Sequence, residues 1–550
     1  MIAPPLRLAG SLVFFTFLSG TEGGQVISMR EEGIPVTDPL VIAKCGNCHA
    51  RDERGNMERI SWARTTPEAW QDETKRMILE FGVTMTPAEA RSIVKYLSTN
   101  HGLAPEEAKA VLYDAERRVR EETNLPSGGL DKACTKCHAC ARALSWRRSA
   151  EGWKQFAESH GARYKVSSQA AVAFLAKAAP LHTPEWDAWS AGKPTLNLAG
   201  RWLVRASMAG HGKYFGEMQV DAAGDDEFTT RVTLTSDRDG STIARSGRSA
   251  VYGGYGWRGR SKGSQPASAA PDDLASEARE VLWIAPDQSM AEGRWFWGQY
   301  QEFGFDVKLW RASSNPTIMA IDKMSLKTDS QANRIRIIGF NLPAEVVPAD
   351  LSFGAGVIAR RIVSHTPSEV VAEVDVDADA PLGRHDVVVR GEVIPGGLAI
   401  YDRLDYVKVT PESALATFGD AAHALGHQQF EAIGYQRGSD GKLHTADDVE
   451  LGPVDVTWSL EVFYAADGSS TDVVGKVSPT GLLTPASPSP GNNFDVWVVA
   501  TARNENGQNG KPLVGKGYLV VTVPAYTFNG RRYVRDLNNW IDDGPVSHAQ

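Results

Sequence analysis

The chain has 550 residues and a formal net charge of −9, from 58 Lys+Arg against 67 Asp+Glu, with 42% hydrophobic and 23% charged residues. At roughly 150 residues per domain this length predicts three or four folded domains, and the composition excludes both a nucleic-acid binder, which needs a basic face, and a long disordered chain. All five cysteines lie between Cys45 and Cys140, so whatever cysteine does here belongs to the N-terminal part.

In chain order, Arg7 precedes the apolar stretch Leu8–Leu18, followed by Ser19 and Gly20. A basic start, a short apolar run and small residues are the pattern of a secretory signal peptide, expected over 1–24. The run is too short to span a bilayer, and no later run reaches the ~18 apolar residues a transmembrane helix requires. Export without a membrane anchor is the expectation.

Two pentapeptides follow, Cys45-Gly46-Asn47-Cys48-His49 and Cys134-Thr135-Lys136-Cys137-His138. Both read C-x-x-C-H. In this pattern two thiols add across the vinyl groups of haem while the adjacent histidine binds the iron. A zinc ribbon needs its cysteine pairs closer together. The expected cofactors are therefore two covalently attached haem c groups, with Cys45, Cys48, Cys134 and Cys137 as thioether carriers and His49 and His138 as iron ligands. Cys140 stands three residues after Cys137 and reads as a small buried thiol.

An internal repeat nominates the remaining ligands. Ala63-Arg64-Thr65-Thr66-Pro67-Glu68-Ala69-Trp70 follows the first motif, and Arg147-Arg148-Ser149-Ala150-Glu151-Gly152-Trp153 follows the second. Thr66 and Ser149 occupy one slot as N-caps, with Glu in the first turn where the helix dipole favours it. Thr86-Pro87-Ala88-Glu89 predicts a capping box before a later helix. Seven residues beyond each tryptophan, two turns along one face, stand Met77 and His160. Both residue types ligate haem iron. Met85 is the alternative for the first haem; His101 and His182 are weaker rivals at the second. Trp70 and Trp153 are expected to pack against the haems. A His/Met first haem has a higher potential than a bis-His second one, since thioether sulfur raises the potential. Electrons are then expected to enter at the second and leave from the first.

Beyond Trp189 the helical period gives way to short alternating runs. Arg201–Val204, Thr230–Thr235 and Phe305–Trp310 predict strands of an antiparallel barrel or sandwich. Ser313-Ser314-Asn315-Pro316 predicts a linker. Ile335–Ile338, Val370–Val376 and Asp386–Val389 suggest one immunoglobulin-like sandwich, and Val456–Leu460, Val496–Val499 and Tyr518–Val521 a second, on strand rhythm alone. The expected fold is an all-α dihaem cytochrome c domain followed by three antiparallel β domains, one barrel-like and two immunoglobulin-like. Its divisions are 25–195 (repeats 25–120 and 121–195), 196–312, 313–410 and 411–550. Asp440-Gly441 and Asp447-Asp448 read as a solvated turn rather than a calcium loop. His423 and His427 read as structural.

The stretch from Cys45–His49 through Glu58-Arg59-Ile60, Thr66–Trp70, Arg76-Met77 and Tyr96-Leu97-Ser98 to Cys134–His138 and Trp153 resembles the alpha subunit of quinohaemoprotein amine dehydrogenase. The order of segments agrees over nearly the whole chain; Cys140 departs from the pattern. The resemblance implies a periplasmic heterotrimer in which a small gamma subunit carries a cysteine tryptophylquinone that oxidises primary amines. It implies a beta-propeller beta subunit covering the quinone, and an alpha subunit passing electrons to a blue-copper protein or cytochrome c. No residue of this chain would then touch the amine. Two other functions compete. A dihaem peroxidase needs an open iron position, which a sixth ligand in each repeat opposes. A freestanding dihaem carrier seldom needs ~350 residues of β scaffold, whereas a subunit embracing partners does.

Overall fold

A computed structural model describes residues 31–112, 130, 140–164, 169–420, 423–463, 470–507 and 510–523. The leader expected over 1–24 and the second motif, with Cys134, Cys137 and His138, lie outside the described residues.

Helix starts in the N-terminal unit follow local chemistry. α1 (Pro39–Cys45) begins with Pro at its first position and Asp38 accepting the Val41 N–H at 2.9 Å. α2 (Pro67–Phe81) is capped by Thr66 and stopped by Gly82 at φ 70°, a left-handed cap that favours glycine. α3 (Pro87–Asn100) has the reciprocal Thr86–Glu89 capping box. After the short α4 (Pro105–Lys109) and α5 (Cys140–Leu144), Ser149 Oγ accepts the Gly152 N–H at 3.0 Å at the start of α6 (Ala150–Tyr164). α7 (Gln169–Ala178) and α8 (Pro184–Ala191) complete the unit.

The two repeats are joined where the repeated sequence begins. β1 (Ala63–Thr65) pairs antiparallel with β2 (Trp146–Arg148), setting Arg64 opposite Arg147 at the centre of the ribbon. Each repeat has its own core. Val41, Met57, Trp70, Ile93, Val94 and Leu97 fill the first; Leu130, Cys140, Trp153, Leu175 and Ala179 fill the second. The tryptophans play matching parts: Trp70 Nε1 donates to His101 O and Trp153 Nε1 to Ala179 O, each at 2.8 Å and each just past the next helix.

Glu107 locks the ribbon. Arg64 forks onto its carboxylate at 2.7 and 3.1 Å, Arg147 Nε reaches the same group at 3.1 Å, and Thr183 Oγ1 and the Ala104 N–H add donors at 2.9 and 2.8 Å. Arg64 also donates to Gly102 O and Leu181 O, one carbonyl from each repeat. Burial pushes the Glu107 carboxyl up, but the two guanidiniums and the Ala104 N–H outweigh it and hold the group at about 2.

The next region is a closed eight-stranded barrel: β3 (Gly200–Met208), β4 (Gly212–Gly224), β5 (Glu227–Ser236), β6 (Thr242–Tyr252), β7 (Gly256–Gly263), β8 (Ala278–Ile284), β9 (Met290–Trp297) and β10 (Phe303–Arg311), with β10 pairing back to β3. Residues such as Phe303, Phe305, Val307 and Leu309 alternate inward with period two. At Gly216 a Cβ would lie 1.8 Å from Thr233 O, so the strands meet there only because the residue is glycine. The barrel holds the helical unit through buried contacts. Glu68, in the first turn of α2, pairs with Arg258; Tyr255 Oη donates to Leu103 O at 3.0 Å and Trp283 Nε1 to Pro105 O at 2.8 Å.

The expected fold class needs correction. The described residues are mostly β, 45% strand against 19% helix, and the N-terminal part is not an all-α domain, because the β1–β2 ribbon runs through its centre. All three β1 residues are buried, so a strand this short shows no alternation to read. The later β regions are not purely antiparallel: Ser325–Lys327 pairs parallel with Ala399–Tyr401, and Ser413–Thr417 with Tyr518–Thr522. Among the described residues the first of these regions has two four-stranded sheets around one core, whereas the last has sheets of three, four and three strands, not the two of an immunoglobulin-like sandwich. Among the described residues no helix is long and apolar enough to cross a membrane.

Glu107→Gln is expected to cost about 3–5 kcal/mol, since it leaves two buried guanidiniums facing a neutral amide. The folded-state pKa lies below the ordinary 4.5, so the carboxylate stabilises fully above pH 4.5 and progressively less toward pH 2. Denaturant unfolding should show the gap between wild type and E107Q closing across that window; a gap independent of pH would exclude the ion pairs as its source.

Candidate functional site

The first C-x-x-C-H motif sits where α1 stops. Cys45 is the last helical residue, and the chain turns at once: Gly46 N–H donates to Ile42 O at 2.9 Å, and the Cys48 and His49 N–H groups both donate to Cys45 O, at 3.1 and 3.0 Å. This turn places both thiols and the imidazole on one short segment at the protein surface. Cys45 is half-buried, Cys48 exposed, and both thiols are free. Burial and the neighbouring Cys48 push the Cys45 thiol up to about 11, which keeps it protonated at neutral pH.

His49 Nδ1 lies 2.9 Å from Glu58 O. A carbonyl can only accept, so Nδ1 carries the proton and Nε2 is left as the lone-pair nitrogen. Carbonyl-fixed imidazole is the usual support of a metal-bound histidine. Two reduced thiols beside an oriented Nε2 fit a covalently attached haem at this motif.

The other predicted residues fall as follows. Met85 packs against the core cluster that Cys45 also touches, along with Tyr96 and Trp146. Met77 is half-buried near the end of α2, where its carbonyl accepts the Gly82 and Val83 N–H groups. His160 lies on α6 with its ring 5.2 Å from Phe156. Trp70 and Trp153 are buried in their two cores. Of the rivals, His101 belongs to the first repeat, fully buried with its ring edge-on to Trp70; burial, Arg64 and Lys193 hold it down at about 3, hence neutral. His182 uses Nε2 on Glu32 O at 2.7 Å. Cys140 is buried beside Leu130 and Trp153.

The acidic loop is internally engaged. Asp447 accepts from Ser439 Oγ, Thr445 Oγ1 and the Asp440 N–H, and Asp448 from Tyr406 Oη at 2.7 Å and the Gly438 N–H. His423 Nδ1 is 2.8 Å from Asp420, and His427 lies beside Glu302 at 3.7 Å.

Two features were missed by reading the sequence. Glu58 supports His49 through its backbone, which leaves no side-chain signature. Trp146 packs against both repeat cores and meets Trp70 edge-on at 6.0 Å, joining the two halves. A tryptophan at the start of the repeated segment, beside two arginines, was the available signal.

Four family models match in sequence order. They are quinohemoprotein amine dehydrogenase A, alpha subunit, haem binding (residues 36–175), and the same alpha subunit's domains II (195–312), III (315–402) and IV (407–531). These matches define a haem-binding subunit of an oxidoreductase. The chain belongs to the quinohemoprotein amine dehydrogenase alpha-subunit family. The family is the alpha subunit of a multi-subunit enzyme, which implies partner subunits. No match is found among curated protein sequences.

Solved structures give only weak likenesses. A de novo designed fluorescence-activating beta barrel is 18% identical over 22% of this chain and 99% of its own, with a TM-score of 0.17. Drosophila N-cadherin EC1-4 is 9% identical over 55% and 85%, TM-score 0.15. A SusE-like polysaccharide-binding protein from Bacteroides thetaiotaomicron is 11% identical over 60% and 69%, TM-score 0.13.

Cys140→Ala should leave haem content unchanged and lower stability by about 1–2 kcal/mol, as expected for trimming a buried side chain. Intact-mass and thermal measurements on the same sample check this. Loss of a haem would mean that Cys140 takes part in attachment.

Proposed function

We propose that this chain is the electron-transfer subunit of a periplasmic quinohaemoprotein amine dehydrogenase. It is exported after removal of residues 1–24 and divided at 195/196, 312/313 and 410/411. In this reading it carries two covalently attached haem c groups, at Cys45/Cys48 and Cys134/Cys137. It takes electrons from a cysteine tryptophylquinone on a small gamma subunit, covered by a beta-propeller beta subunit, and gives them to a blue-copper protein or cytochrome c. The amine is oxidised on the partner chain. The observation that carries the reading is the His49 turn, with Nδ1 on Glu58 O and both thiols alongside, in a chain of the amine dehydrogenase family.

Haem supplies a one-electron couple that the polypeptide lacks. The residues of this chain do the rest. His49, and His138 in the second motif, present an imidazole nitrogen to iron. Met77 or Met85 completes the first site and His160 the second. Met85 has in its favour the cluster it shares with Cys45. Trp70 and Trp153 hold the helices that flank the sites, and the Glu107 ion pairs fix the two repeats against each other, which sets the distance an electron must cross.

Purified from its native host, the chain should contain two haems by pyridine haemochrome assay and co-elute with a small quinone-staining subunit. An isolated monomer would refute the subunit role. Met77→Leu and Met85→Leu separate the ligand candidates: the correct one abolishes the charge-transfer band of methionine-ligated ferric haem and lowers that haem's potential, whereas the other leaves both unchanged.

A further inference from the structure

Arg148 is the one arginine of the central ribbon that forms no ion pair among the described residues. Its neighbour Arg147 and the opposite Arg64 share Glu107, but Arg148 makes no side-chain hydrogen bond or ion pair there, and its buried Nε has no acceptor. Its guanidinium is instead held in an aromatic cage, 4.2 Å from the ring centre of Trp146, 5.3 Å from Phe156 and 5.8 Å from Trp153. Glu73, the acidic group that acts on it electrostatically, is taken by Arg76.

A caged guanidinium keeps its plane fixed and its donors forked, the geometry that recognises a carboxylate. Arg148 is half-buried: its Nε is enclosed, whereas its terminal nitrogens reach the accessible edge of the cage, where cation–π contact leaves their donors unused. Forked donors held in one plane at that edge suit an anion. The cage also stands at the joint of the two repeats: Trp146 packs against the cluster that includes Cys45, while Phe156 meets His160. In the repeat alignment the slot of Arg148 is filled in the first unit by Thr65, an uncharged residue whose hydroxyl donates to Ser145 O at 2.9 Å. The cation thus belongs to one unit only.

We propose that Arg148 binds a carboxylate, and that this carboxylate is a propionate of one of the two covalently attached haems. The pairing neutralises the propionate and, by placing positive charge near one iron, raises the potential of that haem relative to the other. The inference rests on the two-haem reading above.

Potentiometric titration of the holoprotein tests it. Arg148→Gln should lower the potential of one haem by about tenfold in its reduction equilibrium, ~59 mV for a one-electron couple, and leave the other in place. Arg148→Lys should restore most of the shift, because the charge remains. Redox-difference infrared spectra with haem labelled in its propionate carboxyls identify the source of the anion: a label-sensitive carboxylate band should differ between wild type and R148Q. If R148Q does not accumulate, R148K gives the same infrared reading through its altered donor. Unmoved potentials, an equal shift of both haems, or an unchanged label-sensitive band, which would assign the carboxylate to an acidic side chain, each overturn the proposal. A haemochrome count below two per chain would instead refute the two-haem reading, so the two failures are distinguishable.

Discussion

One buried carboxylate, that of Glu107, is what makes a single body of the two repeats. Arg64 and Arg147 face each other across a ribbon only three residues long. Two guanidiniums brought this close in a dry interior repel, and each is costly to desolvate. Glu107 answers both, and Arg64 spends its remaining donors on a carbonyl from each half. The placement of one repeat against the other depends on that joint holding.

The same economy shows at the border with the barrel. Glu68 lies in the first turn of α2, where the dipole favours it, and there it meets Arg258 from β7. Nearby, Tyr255 and Trp283 turn their polar edges to the backbone around α4 while their ring bodies stay buried. Polar groups that would be costly alone are matched across the interface, so the barrel buttresses the side of the helical unit that carries Glu107. The repeats are pseudo-equivalent in backbone but not in charge. Their tryptophans and caps match, whereas Thr65 and Arg148 do not.

Much of this was legible beforehand. Thr66, Ser149 and the Thr86–Glu89 box announced their helices because capping is a contact between residues two or three apart. The C-x-x-C-H turn was legible for the same reason. The all-α reading of the N-terminal part failed at β1 and β2, because three fully buried residues carry no period and their partner lies some 80 residues away. Parallel pairings near Leu326 and Leu415 escaped likewise, since strand rhythm does not encode the direction of a partner.

Sequence alone therefore determined what lives within five or ten residues: the spacing of the Cys45–His49 motif, the helix starts, and the inward alternation of strands such as Phe303–Leu309. Tertiary structure decided what depends on distant residues meeting. It put Glu107 between Arg64 and Arg147, set Glu58 O on His49 Nδ1, closed β10 onto β3, and left Arg148 caged without a carboxylate among the described residues. The division is physical: a turn of backbone is governed by its own torsions and nearest hydrogen bonds, whereas a buried charge is governed by whatever the whole fold brings within reach.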